Sequence, residues 1–115
     1  MEGLDFAVLS HWHYDHYGGF STIAELNPGI PLYAPPGNRM GFQVREVTRA
    51  GEIEAGVWSS GPLNGFEQAV GLETSSGLVV IVGCSHPGVD RLTRALLNAS
   101  AHERAYLVIG GFHYP

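Results

Sequence analysis

The chain has 115 residues, a net charge of −5 and no lysine. Six cationic side chains against 11 acidic ones do not make a phosphate-neutralising patch, so no nucleic-acid partner is expected. The lack of lysine removes Schiff-base chemistry and a P-loop, the single Cys84 rules out an internal disulfide, and no apolar run reaches the ~18 residues of a membrane span. A reducing, cytoplasmic setting follows as the expectation, with no membrane partner. The length allows one domain at most. Its hydrophobic fraction of 44% suits a core. Its charged fraction of 15% is low, which fits a loop-rich chain or one whose apolar faces are covered by further elements.

Residues 4–9 form a short apolar run that reads as a largely buried strand. It runs into Ser10-His11-Trp12-His13-Tyr14-Asp15-His16-Tyr17-Gly18-Gly19. Four candidate metal ligands thus fall within six residues. Crowded imidazoles and a carboxylate fill a core badly and become favourable together when a divalent cation takes their lone pairs. In an extended segment, residues 11, 13 and 15 point to one side. His11 and His13 can then grip one ion, while Asp15 and His16 diverge and can reach a second. Trp12, Tyr14 and Tyr17 either pack behind this loop or form a stacking wall for an aromatic substrate.

Thr22 and Glu25 have capping-box spacing, and a short helix is predicted over residues 20–26, stopped at Asn27-Pro28. Residues 31–34 read as a brief strand, and residues 35–38 as a loop. Short strands are predicted at 43–47, 56–60 and 68–73. Ser75-Ser76-Gly77 turns the chain between residues 67–74 and 78–82, which predicts a hairpin. The continuous apolar run at 78–82 predicts a central strand buried on both faces. It delivers Cys84-Ser85-His86 to the edge already occupied by the first motif. Cys84 is either a small buried residue or a soft ligand. Glu67 reads as a residue opening its strand.

Apolar residues at 89, 92, 96 and 99 mark an amphipathic helix over 89–101, with Arg91 and Arg94 on its polar side. His102, at the end of that helix, reads as structural. Residues 105–109 predict another buried strand, which delivers Gly110-Gly111-Phe112-His113. Three strands thus end in histidine-bearing loops, which argues for one shared site.

Three segments carry a resemblance. The run Leu9-Ser10-His11-x-His13-x-Asp15-His16-x-Gly18-Gly19 resembles the signature of the metallo-β-lactamase superfamily. Gly83-Cys84-Ser85-His86-Pro87-Gly88 and Gly110-Gly111-Phe112-His113, with Glu67-Gln68-Ala69, are similar to one branch of it. Members of that branch are identified as 7,8-dihydropterin-6-methyl-4-(β-D-ribofuranosyl)aminobenzene-5′-phosphate synthases or as metal-dependent hydrolases.

The resemblance implies an α/β (α+β) fold: a partial αββα sandwich with a mixed sheet and its metal site at strand C-terminal ends. It implies one or two divalent ions, zinc first, with manganese or iron as alternatives. The implied ligands are His11, His13, Asp15, His16, His86 and His113, with Asp15 also orienting the attacking water. The first ion would sit on His11, His13 and His86, and a weaker second one on Asp15, His16 and His113. The substrate would be a small ester, lactone, thioester or phosphoester, hydrolysed by metal-activated water.

The match covers the middle of the family pattern, so residues 1–115 are expected to form a single, incomplete domain that either self-associates into a homo-oligomer or is only marginally stable. The alternatives are a non-catalytic metal-binding remnant, a half-domain completed by another copy, and a protein with one closed structural zinc site.

Overall fold

A computed structural model describes residues 3–38 and 43–112 of the chain. Strand β1 (Ala7–Val8) leads into a one-turn helix α1 (Tyr14–Tyr17) and helix α2 (Phe20–Leu26). Strands β2 (Leu32–Ala34), β3 (Arg45–Glu46), β4 (Gly51–Glu54), β5 (Val57–Ser59), β6 (Val70–Thr74) and β7 (Gly77–Val82) follow. Helix α3 (Val89–Ser100) and strand β8 (Ala105–Gly110) complete the described residues.

The strands form two sheets. One is parallel, in the order β1-β2-β3, and the other runs β4-β5-β6-β7-β8. The second sheet is antiparallel up to β7, and β7 and β8 pair parallel. A parallel pair needs a crossover, and α3 supplies it. This mixed α/β architecture agrees with the fold expected from sequence.

Each sheet has its own core. Leu9, Trp12, Phe20, Ile30, Leu32 and Ala34 pack beside the first sheet, and Ala69, Leu78, Val80, Val82, Leu92 and Leu96 between the second sheet and α3. Gln68 ties the two sheets together. Its side-chain amide donates to the carbonyl of Leu9 at 2.8 Å, its backbone N–H donates to the carbonyl of Ser10 at 2.9 Å, and its side-chain oxygen accepts from Ser59. A second tie joins Tyr33 on β2 to Glu54 on β4, with Arg45 donating to the Tyr33 hydroxyl at 2.8 Å. The hydrogen bond to Glu54, with burial, pushes the Tyr33 phenol above its ordinary pKa.

Several expectations are corrected here. Helix α2 has the predicted bounds, but its N-cap is Gly19 with no side-chain cap bond, so the Thr22–Glu25 capping box is not used. Strand β4 was missed; its Gly51-Glu52-Ile53-Glu54 carries no apolar alternation, and antiparallel pairing to β5 holds it in the sheet. Strand β7 is not buried on both faces. Leu78, Val80 and Val82 point into the core, while Ile81 is 40% exposed.

Strand β8 is not a buried strand either. It is the sheet edge, and Tyr106, Leu107 and Ile109 are exposed. Helix α3 covers only one face of this sheet. The register shift between Leu78↔Ala105 and Val79↔Leu107 inserts Tyr106, so Ala105 and Val108 are the β8 residues that reach the core.

Candidate metal centre

The first histidines are placed by the end of β1. The Leu9 N–H donates to the Tyr33 carbonyl at 2.8 Å, extending the parallel pairing by one residue. The next residues leave the sheet, and His11 is fully buried. His13 is still extended, at φ −95° and ψ 142°, and serves as N-cap of α1. From Tyr14 onward the chain is helical. His13 and His16 are therefore brought to one side by i, i+3 helical spacing, and the extended alternation stops at His13. The predicted shared face of residues 11, 13 and 15 is corrected on this ground. Asp15 lies on the exposed side of the turn, its carboxylate 3.8 Å from His16 Nε2.

Four imidazoles converge. The His11 ring centroid lies 4.6 Å from that of His13, 4.1 Å from His16 and 5.0 Å from His86. His86 arrives from the turn after β7. Cys84, from the same turn, places its Sγ 3.0 Å from His16 Nε2. One ligand atom from each of His11, Cys84 and His86 falls within 4.8 Å of the others. Phe66 packs on three of the rings, at 5.2 Å from His11, 5.0 Å from His13 and 5.4 Å from His86. His113 lies outside the described residues. His102 stands apart from the cluster and pairs with Glu73 at 3.1 Å.

The electrostatics suit a cation. Burial pushes the His11 pKa down to about 4, and the neighbouring histidines push the same way against Glu67, so His11 is neutral at pH 7. Its Nδ1 is 2.8 Å from the Ser10 hydroxyl. Its Nε2 is buried with no hydrogen-bond partner. A buried polar atom in that state costs about 1–3 kcal/mol, and a divalent ion is the partner that an imidazole lone pair among other imidazoles accepts. The donor set therefore fits a soft-to-borderline metal such as zinc. The Cys84 thiol is pushed up by burial and by the charges of Glu67 and Asp15, so without a cation it stays protonated.

The surroundings hold this arrangement in place. Trp12 is buried behind the loop and donates its indole N–H to the Pro35 carbonyl at 2.6 Å. Tyr17 packs on it with ring centroids 5.5 Å apart, whereas Tyr14 is 73% exposed. The packing reading thus fits Trp12 and Tyr17 and does not fit Tyr14. Gly83 is required by closeness: a Cβ there would collide with the Ser10 side chain, next to His11. Ser85 adopts φ 64°, a left-handed conformation uncommon for a residue with a side chain.

Phe66 and Glu67 were not read as parts of this centre from sequence. For Glu67 the available signals were its place in the Glu67-Gln68-Ala69 segment that carries the resemblance and an acidic residue directly ahead of an apolar hairpin.

Comparisons with known proteins bear on the family and the fold. A family model described as the metallo-beta-lactamase superfamily matches residues 2–92. The chain is similar to a 7,8-dihydropterin-6-methyl-4-(beta-D-ribofuranosyl)-aminobenzene-5'-phosphate synthase from Methanocaldococcus jannaschii. The two are 26% identical over 167 aligned positions, covering 97% of this chain and 57% of that protein. Among solved structures, it matches a metal-dependent hydrolase of the beta-lactamase superfamily at a TM-score of 0.70 and 24% identity. That match covers 92% of this chain and 56% of the other, and it shows a shared fold. The chain spans a little over half the length of these relatives.

Proposed function

Because the chain belongs to the metallo-β-lactamase superfamily, we propose that it is a metal-dependent hydrolase of a small ester, lactone, thioester or phosphoester, working in the cytoplasm. The observation that carries this reading is the buried, unpartnered Nε2 of His11 at the centre of the imidazole cluster. His11, His13 and His86 hold the first ion, with Cys84 within reach as a soft fourth donor. Asp15 and His16, with His113, form a second and weaker set. When bound, a divalent ion supplies Lewis acidity and brings the pKa of water towards neutrality.

The residues of the chain do the rest. Phe66 packs against the rings of His11, His13 and His86 and keeps water from that side of them. Asp15, on the solvent side of His16, can accept a proton from an incoming water. No serine or lysine nucleophile is required.

Metal content per chain, measured beside a screen of esters, lactones and phosphodiesters, tests the reading. Zinc, manganese and iron are each tried. About one tightly held ion and metal-dependent turnover are expected. A chain that takes up none of these ions overturns it. Dihydropterins belong in the screen, because the Methanocaldococcus relative is named as a synthase of a dihydropterin compound.

A second reading is a half-domain completed by another copy, or a non-catalytic metal-binding remnant. Exposed Tyr106, Leu107, Ile109 and Phe112 favour it, as does an apolar cavity of about 470 Å³ between β1 and α2. Metal binding without turnover on any substrate would select it.

A further inference from the structure

We propose that Glu67 is the positioning residue of the metal centre: its buried carboxylate fixes the His86 ring and the turn that carries it. The inference rests on the metal-site reading above and goes beyond it, since Glu67 is not a member of the ligand set.

Four observations converge on this one side chain. Glu67 is fully buried, in a chain with few charged residues. Its Oε2 accepts the backbone N–H of Ser85 at 2.7 Å, and its Oε1 accepts that of His86 at 3.0 Å. The same Oε1 lies 2.8 Å from His86 Nδ1 and 3.9 Å from His11 Nδ1. The residue between Cys84 and His86 is Ser85, at its left-handed φ of 64°.

Physics gives each contact a role. A buried carboxylate is costly unless well bonded, and here both oxygens are engaged. An imidazole that gives its Nδ1–H to a carboxylate is held in one tautomer, with the lone pair on Nε2, and the carboxylate raises the basicity of that nitrogen. Left-handed backbone at a non-glycine residue persists only where its surroundings over-determine it. Glu67 accepts from the amide of Ser85, and the Ser85 hydroxyl donates to the Gly111 carbonyl at 2.7 Å. Glu67 therefore sets both where His86 sits and which nitrogen it offers.

The test is zinc affinity, measured by chelator competition on the wild-type chain, Glu67→Gln, Glu67→Ala, His86→Ala and the Glu67→Ala/His86→Ala double variant. Loss of a partner that orients a ligand histidine typically weakens metal binding 10–100-fold, and Glu67→Ala is expected in that range. Glu67→Gln keeps the volume but turns an amide N–H towards an N–H donor, so a smaller loss is expected. With His86 already gone, Glu67→Ala should cost at most a few-fold more, because its effect runs through that ring.

Cobalt-loaded chains add a second readout: Glu67→Gln should shift the visible absorption bands while circular dichroism stays unchanged. A folded Glu67→Gln chain with wild-type affinity and wild-type cobalt bands overturns the proposal. So does a full, additive loss in the His86→Ala background. If Glu67→Ala fails to fold, Glu67→Gln alone decides. A wild-type chain that binds no zinc overturns the metal reading itself, a different outcome from wild-type binding that Glu67 variants leave intact.

Discussion

The centre depends on single side chains whose burial sets their protonation. Burial in the folded chain pushes the His11 pKa down to about 4, from an ordinary value of 6.5. Between those values the unfolded chain binds the proton and the folded one does not, so stability falls as pH drops through this window. Glu67 adds to the same trend at lower pH. Burial alone would raise its pKa, but the amides of Ser85 and His86 and the His86 ring hold it below the usual value. The metal-free chain should therefore melt at progressively lower temperature from pH 7 to pH 4.5, and His11→Gln should flatten that dependence. A melting temperature independent of pH across this range would contradict the burial of a neutral His11. For the metal, His11→Ala and His13→Ala are each expected to cut zinc content at least tenfold. Unchanged content in the double variant would remove both residues from the ligand set.

At the scale of elements, β7 and α3 bear the mechanical load of the second sheet. Leu78, Val80, Leu92 and Leu96 are fully buried, so Leu92→Ala or Leu96→Ala should destabilise the chain by about 2–5 kcal/mol. Chemical denaturation reads this directly, and a loss below about 1 kcal/mol would mean that the helix is not seated on the sheet. Gly83→Ala acts differently. Its methyl would push Ser10 and so His11, and metal affinity should fall more than stability does. Helix α2 and the β6–β7 hairpin were legible in sequence because their signals are local: an Asn-Pro stop for the helix, whose Thr22–Glu25 start signal goes unused, and Ser-Ser-Gly between apolar runs. Strands β4 and β8 were less so. Pairing partners hold β4, and the one-sided cover of α3 decides the exposure of β8.

Across the whole molecule, the unpartnered face of β7 and β8 is the main liability. Ile81, Tyr106, Leu107 and Ile109 leave apolar surface at an open strand edge, a combination that drives association. The chain is expected to self-associate at high concentration, and replacing Tyr106 and Ile109 by serine should shift it towards monomer in sedimentation experiments. A wild-type chain that stays monomeric and melts cooperatively above ~65 °C would show that this face needs no cover. Among the described residues, no helix is long and apolar enough to cross a membrane.

The sequence by itself marked the candidate ligands and excluded lysine chemistry: the density of histidines in residues 11–16, the strand-end placement of His86 and the absence of lysine are matters of composition and local order. It also determined most elements, because turns and amphipathic spacing are properties of neighbouring residues. Only the tertiary structure decided which side chains meet. His16 reaches His11 through one helical turn that displaces Asp15 to the outside. Cys84 and His86 cross 68 or more positions to join them, and Glu67 becomes buried only because the turn after β7 folds over it. The outcomes for Cys84, His86 and Glu67 depend on contacts between distant segments, which no local pattern encodes.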